Sequence, residues 1–288
     1  MAHYADLHMH SHYSDGWKTP DELVAEGSRR GLKVIAITDH DNMHSFSEAD
    51  AAARNQSIEL IPAVEISTHW SADGWSANVD LLGYGVDPND EEFQSLLVRT
   101  LADTTARIGA CCATITALGY QIKLEDVFRQ NERFAGAGPL IYALIDKGYV
   151  QNFEAGLDLF RTAWEEVSPP TLAIEEAISA VHQAGGVAVL AHPTRIPLSH
   201  GRLTVEQMYP LVEAGLDGVE VCHPNMNARA RNYYRLLAEG FGLLTTGGSD
   251  EHAYGGSFSR LGGEPVTRAM VDLLRERLAT NRSMNEES

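Results

Sequence analysis

The chain has 288 residues, 44% of them hydrophobic, and 22 Lys and Arg against 40 Asp and Glu give a formal charge of −18 alongside twelve histidines. That charge excludes a protein whose main work is coating long nucleic acid, because such affinity rests on Lys and Arg against phosphate. No apolar run approaches the ~20 residues that span a bilayer, the N-terminus MAHYADLHMHSHYSDG lacks the basic and apolar regions of a signal peptide, and the odd set Cys111, Cys112 and Cys222 points to a reducing, cytoplasmic setting.

Short β-branched runs alternate with amphipathic stretches along the chain. A short N-terminal strand leads into DLHMHSHYSDG. Thr19-Pro20-Asp21-Glu22 is a capping box with proline at the first helical position, and Gly31 ends the helix it opens. VIAIT (34–38), LIPAVEIS (60–67), VDLLGYGV (79–86), VAVLAH (187–192), GVEVCH (218–223) and LLTTGGSD (243–250) are strand candidates, and the segments between them read as helices. Near-continuous apolar runs suit strands buried on both faces of a parallel sheet, open or closed into a barrel. From 90 to 168 the rhythm breaks: Glu91 to Leu118 predicts a long helix, followed by helices near 121–132, 138–147 and 153–159. Pro169-Pro170 then marks the return. This divides the chain into a main domain, 1–89 and 169–288, and a helical insertion or cap, 90–168. Ala173 to Ala184 predicts a helix closed by Gly185-Gly186, with others near 204–214, 226–239 and 264–279. The terminal NRSMNEES is expected to fray.

Most strand candidates deliver a histidine or a carboxylate, mainly at the C-terminal end. His8, His10 and Asp15 follow the first strand, and Asp39, His40 and Asp41 follow VIAIT. Glu65 lies near the end of LIPAVEIS, and Asn78 and Asp80 at the start of VDLLGYGV. His192 ends VAVLAH, His223 ends GVEVCH, and Asp250 and His252 follow LLTTGGS. In a β/α barrel the strand ends converge on one face, where active sites sit. The strand period of two points His8 and His10 to one side. Mixed imidazole and carboxylate donors suit Zn, Mn or Fe, and a carboxylate such as Glu65 can bridge two ions. Paired divalent ions recur in phosphatases and nucleases, where they neutralise phosphoryl oxygens and acidify water. His12, His44, His69, His182 and His200 fall in helix or loop settings, of which only His12 is placed to approach a substrate.

The motifs DLHMHSHYSDG, ITDHDN, VEIS, VLAHP, VEVCHP and TTGGSDEH, in this order, resemble those of the PHP (polymerase and histidinol phosphatase) family. The resemblance covers the chain outside most of 90–168. It implies a distorted (β/α)7 barrel with a helical insertion, two to three divalent ions (manganese first, zinc or iron otherwise) and hydrolysis of phosphate esters. It also implies that His8, His10, Glu65 and Asp250 hold one ion, with Glu65 bridging to a second, and that Asp15, His40 and His252 hold another. His192 and His223 match further ligand positions, and His192, His223 and Asp250 are candidate catalytic groups.

Two departures stand out. Asp80 occupies a position where the family usually has histidine. Ala137-Gly138-Pro139-Leu140 stands where branch members carry Gly-Arg-Pro-His, so phosphate contacts are expected from His12, Ser14, Arg133, Arg195, Arg202, Arg229 and Arg260. The branch resembled includes nucleoside 3′,5′-bisphosphate phosphatases and enzymes that trim RNA from its 5′ end. The expected substrate is a small phosphorylated nucleotide, with short RNA as the alternative and neither long nucleic acid nor membrane as partner. An amide hydrolase and a non-catalytic metal-binding barrel are the competing readings. In the insert, Phe134, Tyr142, Tyr149 and Phe160 could stack on a base, although core packing is the simpler role.

Overall fold

The computed structural model describes residues 3–72, 75–196, 201–253 and 259–287; His200 lies outside the described residues. Its strands form two sheets among these residues. In the first, β1 (Ala5–Asp6), β2 (Val34–Ile35) and β3 (Glu59–Leu60) run parallel. In the second, the order is β4 (Ala63–Ala72), β5 (Trp75–Tyr84), β6 (Val187–Leu190), β7 (Gly218–Cys222) and β8 (Leu244–Gly247).

The expectation of an all-parallel sheet is corrected here. β5 runs antiparallel to both β4 and β6, whereas β6, β7 and β8 are parallel. The cause is local: β4 and β5 are long strands joined through 73–74 alone, far too short for the crossover a parallel pair needs. The reversal has a functional result. Because β5 enters from the far end, its early residues stand beside the late residues of β6, and Ala191 N donates to Asp80 O at 3.0 Å.

Backbone hydrogen bonds also link the two sheets. On one side Leu7 N donates to Gly247 O and Asp250 N to His8 O, at 3.2 and 2.9 Å. On the other, Glu65 N donates to Asp39 O and Asp41 N to Glu65 O, at 3.2 and 2.8 Å. Leu7, Val34, Ala36, Val64, Ile66, Leu81, Val189 and Val219 fill the shared core.

The helices follow from their caps and apolar faces. In α1 (Pro20–Arg29), Thr19 and Glu22 form the reciprocal capping box, and Leu23 and Val24 face inward. α2 (Phe46–Gln56) packs beside it and ends where Ser57 takes a left-handed conformation, φ 53°. The run 90–168 holds no strand among the described residues. It contains α3 (Glu91–Ala117), α4 (Leu124–Gln130), α5 (Ala137–Asp146) and α6 (Phe153–Trp164). α3 belongs to two cores: Phe93, Leu96 and Leu97 pack among the strands, while Ile108, Cys111, Cys112 and Ile115 pack with Leu140, Leu144 and Ala163 of the later helices. Burial pushes the Cys111 and Cys112 thiols up to about 12 and 11, so neither is a ready nucleophile. Among the described residues no helix is long and apolar enough to cross a membrane.

After the insert come α7 (Ile174–Gln183), α8 (Val205–Glu213), α9 (Ala228–Phe241) and α10 (Arg268–Glu287). The last corrects the expectation of a frayed end, since the chain stays helical to Glu287. Asn281 Nδ2 donates to Gly186 O at 2.8 Å and Arg282 Nη2 to Gly85 O at 2.9 Å, which ties this helix to the strand ends.

Two predictions follow from this packing. A Cβ on Gly248 would stand 2.3 Å from both the Cβ and the backbone nitrogen of His8. Gly248→Ala is therefore expected to cost about 1–3 kcal/mol through overpacking, read as a lower denaturant midpoint. The second concerns acid. Burial alone would raise the Glu26 pKa, but Lys18 at 2.6 Å, Ser259 and Arg30 pull it down to about 2. A carboxyl depressed on folding stabilises above its unfolded pKa, and that stability is lost as pH falls from about 4.5 toward 2. Glu26→Gln should flatten that acid limb of a stability–pH curve by no more than about 3 kcal/mol.

Candidate metal centre

Glu65 on β4 is buried, and imidazoles from separate segments converge on it. His8 Nε2 and His10 Nε2 each lie 3.1 Å from Oε2, and His40 Nδ1 lies 3.5 Å from the same oxygen. His192 Nε2 lies 2.8 Å from Oε1. His8 Nε2 and His10 Nε2 are themselves 3.2 Å apart. Asp250 Oδ1 adds 3.5 and 3.4 Å approaches to these two nitrogens. Around Asp15 Oδ1 stand His252 Nε2 at 3.0 Å and His40 Nε2 at 3.8 Å.

These donors form overlapping sets able to hold metal ions: His10, Asp15, His40 and His252; His8, His10 and Asp250; and His8, Glu65 and His192. Two features of the residues fit such ions. Imidazole nitrogens aimed at one another and at shared carboxylate oxygens match Zn, Mn or Fe donor chemistry. In addition, His40 Nδ1 is buried without a hydrogen-bond partner, which is costly unless something else satisfies it.

Backbone and neighbours set the aim of each ligand. Glu220 on β7 accepts from His8 Nδ1 at 3.0 Å and from His192 N at 2.8 Å. The first contact puts the proton on Nδ1 and leaves Nε2 to face the cluster, as outer carboxylates do for ligating histidines. His252 Nδ1 bonds to Asp250 O at 2.9 Å with the same effect. Asp39 accepts from Ser11 N, Ser11 Oγ and Ser14 Oγ at 2.8, 2.7 and 2.6 Å, which shapes the loop after β1. Asp41, His192 and Asp250 hold positive φ values of 55°, 22° and 49°; each such residue stores roughly 1–3 kcal/mol that the surroundings must over-determine.

The charges are strongly coupled. Burial opposes ionisation of Asp15, Glu65 and Asp250, yet the imidazoles around them, His252 beside Asp15 and Asp250 and His8 beside Glu65, hold all three carboxyls well below the usual range. Burial also disfavours charge on His8, but Glu65 and Glu220 carry its pKa well above the ordinary value. Asp80 goes the other way, its acid pushed up by burial and by the Glu65 charge.

The remaining sequence candidates divide clearly. Asp80 Oδ2 stands 3.9 Å from His192 Nε2, at the edge of the sets rather than within them. His223 Nε2 lies 3.2 Å from Asp250 Oδ2, while its Nδ1 accepts from Asn225 N at 3.1 Å. Neutral His223 therefore carries its proton on Nε2, unlike His8. Arg195 Nη1 reaches Asp250 Oδ2 at 3.1 Å and so lies at the cluster. Arg133 lies over the Tyr13 ring at 5.1 Å, and His12 stacks on the same ring with centroids 4.6 Å apart. Arg202 lies 4.3 Å from the Tyr233 centroid, and Arg229 and Arg260 are exposed. Ser14 is fully buried with its hydroxyl committed to Asp39, which turns it from substrate contact to scaffold.

The insert reaches the centre directly. Phe134 stacks on His40 with centroids 6.0 Å apart, and Asn131 Nδ2 donates to Ser14 O at 2.5 Å. Thr104 Oγ1 donates to Asp41 Oδ2 at 2.6 Å. Tyr142 sits 4.9 Å from the exposed Trp17 ring, whereas Tyr149 packs with Tyr120 and Phe160 with Trp164. Glu220, Thr104 and Asn131 are among the supporting groups that sequence reasoning did not single out; the signal for Glu220 is an acid in the middle of the apolar run GVEVC.

Comparison with known proteins agrees with this chemistry. Residues 6–134 match the PHP domain model. A 5′-3′ exoribonuclease of Haemophilus influenzae is 31% identical over 86% of this chain and 89% of its own. A 3′,5′-nucleoside bisphosphate phosphatase of Chromobacterium violaceum is 29% identical over 87% of each. The crystal structure of a candidate metal-dependent phosphoesterase from Bifidobacterium adolescentis superposes with a TM-score of 0.82 at 29% identity, covering 95% of this chain and 96% of that one. The chain belongs to the PHP family of metal-dependent phosphoesterases and is a hydrolase of phosphate esters.

Proposed function

We propose that the protein removes phosphate from a small nucleotide, a nucleoside 3′,5′-bisphosphate first of all, to give a nucleoside monophosphate and phosphate. The observation that carries this reading is the overlap of donor sets on Glu65, whose Oε1 faces His192 while Oε2 faces His8, His10 and His40. Such a carboxylate would hold divalent ions together with these imidazoles, with manganese as the first choice and zinc or iron as alternatives. When bound, two to three divalent ions supply positive charge to phosphoryl oxygens and acidify water.

The chain's own groups do the rest. Arg195 stands beside Asp250 where its guanidinium can meet a phosphoryl oxygen in a charge-assisted bond. His223 offers an Nε2 proton at the same carboxylate and suits the general acid that protonates the leaving oxygen. Glu220 fixes the tautomer of His8. Phe134, Asn131 and Thr104 bring the insert against the centre, which favours a cap role for 90–168 and entry of small substrates over long chains. The ladder bonds joining β1 to the end of β8, and the end of β2 to β4, favour a closed, distorted (β/α)7 barrel as the scaffold. A reducing, cytoplasmic setting agrees with the buried free thiols. The identity to the Haemophilus exoribonuclease keeps a second reading in view, trimming of short RNA from its 5′ end. The net charge of −18 weighs against that.

The discriminating experiment compares kcat/KM for nucleoside 3′,5′-bisphosphates, cyclic nucleotides and short 5′-phosphorylated RNA. The bisphosphate should lead; faster turnover of the RNA rejects the substrate assignment. Glu65→Gln and Asp250→Asn should each lower kcat/KM by at least about 100-fold, and chelation should abolish turnover until Mn is restored. Full activity in the chelated protein would overturn the metal-dependent reading. Glu220→Gln should weaken metal binding by about 10- to 100-fold, with most of kcat returning at saturating metal.

A further inference from the structure

The insert holds a buried cation with no counter-ion in contact. Arg107 on α3 is 7% exposed. Its Nε donates to Ser168 O at 2.9 Å, and its guanidinium lies 4.5 Å from the centroid of the Trp164 ring. Its Nη2 is buried with no hydrogen-bond partner, and among the described residues it forms no salt bridge. Leaving a charged donor buried and unsatisfied is expensive.

Its position gives the expense a purpose. Arg107 lies one helical turn beyond Thr104, on the same face of α3, and Thr104 grips Asp41 beside His40. Burial draws down the Arg107 pKa, while the carboxylates of Asp103, Asp80 and Asp41 act through space to keep its proton on. Arg107 therefore lies on the face of α3 from which Thr104 reaches Asp41. One N–H is anchored on Ser168 and one face is held by Trp164, so the guanidinium fork is fixed before any ligand arrives. Fixed planar forks suit the paired oxygens of phosphate. By contrast, Arg133 and Arg202 lie over the half-buried rings of Tyr13 and Tyr233, and Arg231 is paired with Glu264 at 2.6 Å.

We propose that Arg107 is a second anion-binding group of this site, taking a phosphate of the substrate other than the one hydrolysed at the Glu65 cluster. The inference rests on the phosphatase reading above and narrows the substrate class to small molecules carrying two separated anionic groups. Arg107 acts in binding and selection, away from the reacting atoms.

The test uses the full metal-loaded chain with Arg107→Met and Arg107→Lys. Each is assayed on adenosine 3′,5′-bisphosphate and on p-nitrophenyl phosphate, which has no second phosphate. Arg107→Met should lower kcat/KM for the bisphosphate about 10- to 100-fold more than for the monoester, mostly through KM. Lysine, a point charge without the fork, should restore part of the difference. A parallel fall on both substrates, or no change on either, overturns the proposal and leaves Arg107 a structural cation. Thermal unfolding of both variants identifies any that fail to fold, in which case the lysine variant decides. If the wild-type chain hydrolyses neither compound, the phosphatase reading fails separately. Titration calorimetry with inorganic phosphate, with and without Mn, then judges Arg107: a tenfold loss of affinity in Arg107→Met supports the anion site, and equal affinity overturns it.

Discussion

Everything at the functional end of this molecule depends on keeping Glu65 ionised while it is out of water. A buried carboxylate is costly on its own. Here the cost is offset by imidazoles brought in from the segments after β1, β2 and β6, while Asp250 after β8 approaches His8 and His10. The strands deliver that arrangement because their ladders continue past the regular elements, with Asp250 N on His8 O and Glu65 N on Asp39 O. Fold and site are thus one hydrogen-bonded construction, and the left-handed turns at Asp41, His192 and Asp250 mark where the backbone bends to present its ligands.

The same logic explains the layers behind the ligands. A histidine can hold a metal only through a nitrogen that has no proton, so something must claim the proton on the other nitrogen. Glu220 does so for His8 and the Asp250 carbonyl for His252. His223 has the reverse polarity, since its Nδ1 accepts from the Asn225 amide. Two histidines at equivalent strand ends thereby acquire opposite chemistry from a single backbone bond, a distinction no residue pattern carries.

Much of the architecture was legible because its signals are local. The Thr19–Glu22 capping box, the glycines at helix ends and the loss of strand patterning over 90–168 all act within a few residues. The chemistry-bearing residues were legible as types at strand ends for the same reason. What was hidden is tertiary. Strand direction is not encoded in an apolar run, and the expected strands at 60–67 and 79–86 left 68–78 between them, which hid that β4 runs on to Ala72 and β5 starts at Trp75. Ser14 looked like a phosphate donor until Asp39 was seen to hold it. Glu220 and Arg107 acquire meaning only when distant segments meet. The polar tail read as frayed because its anchors, Gly85 O and Gly186 O, lie far away in sequence.

The 27-residue helix α3 bears on where the segment 90–168 could be cut and transplanted. Its first turns are part of the strand core, its middle grips Asp41 through Thr104, and its last turns belong to the insert's own core. A chimaera joined at Asp90 would therefore transplant a piece of the strand core and the hold on Asp41 together with the later helices. The change from one core to the other falls inside a helix, between Thr104 and Ile108, where neither sequence punctuation nor a loop announces it.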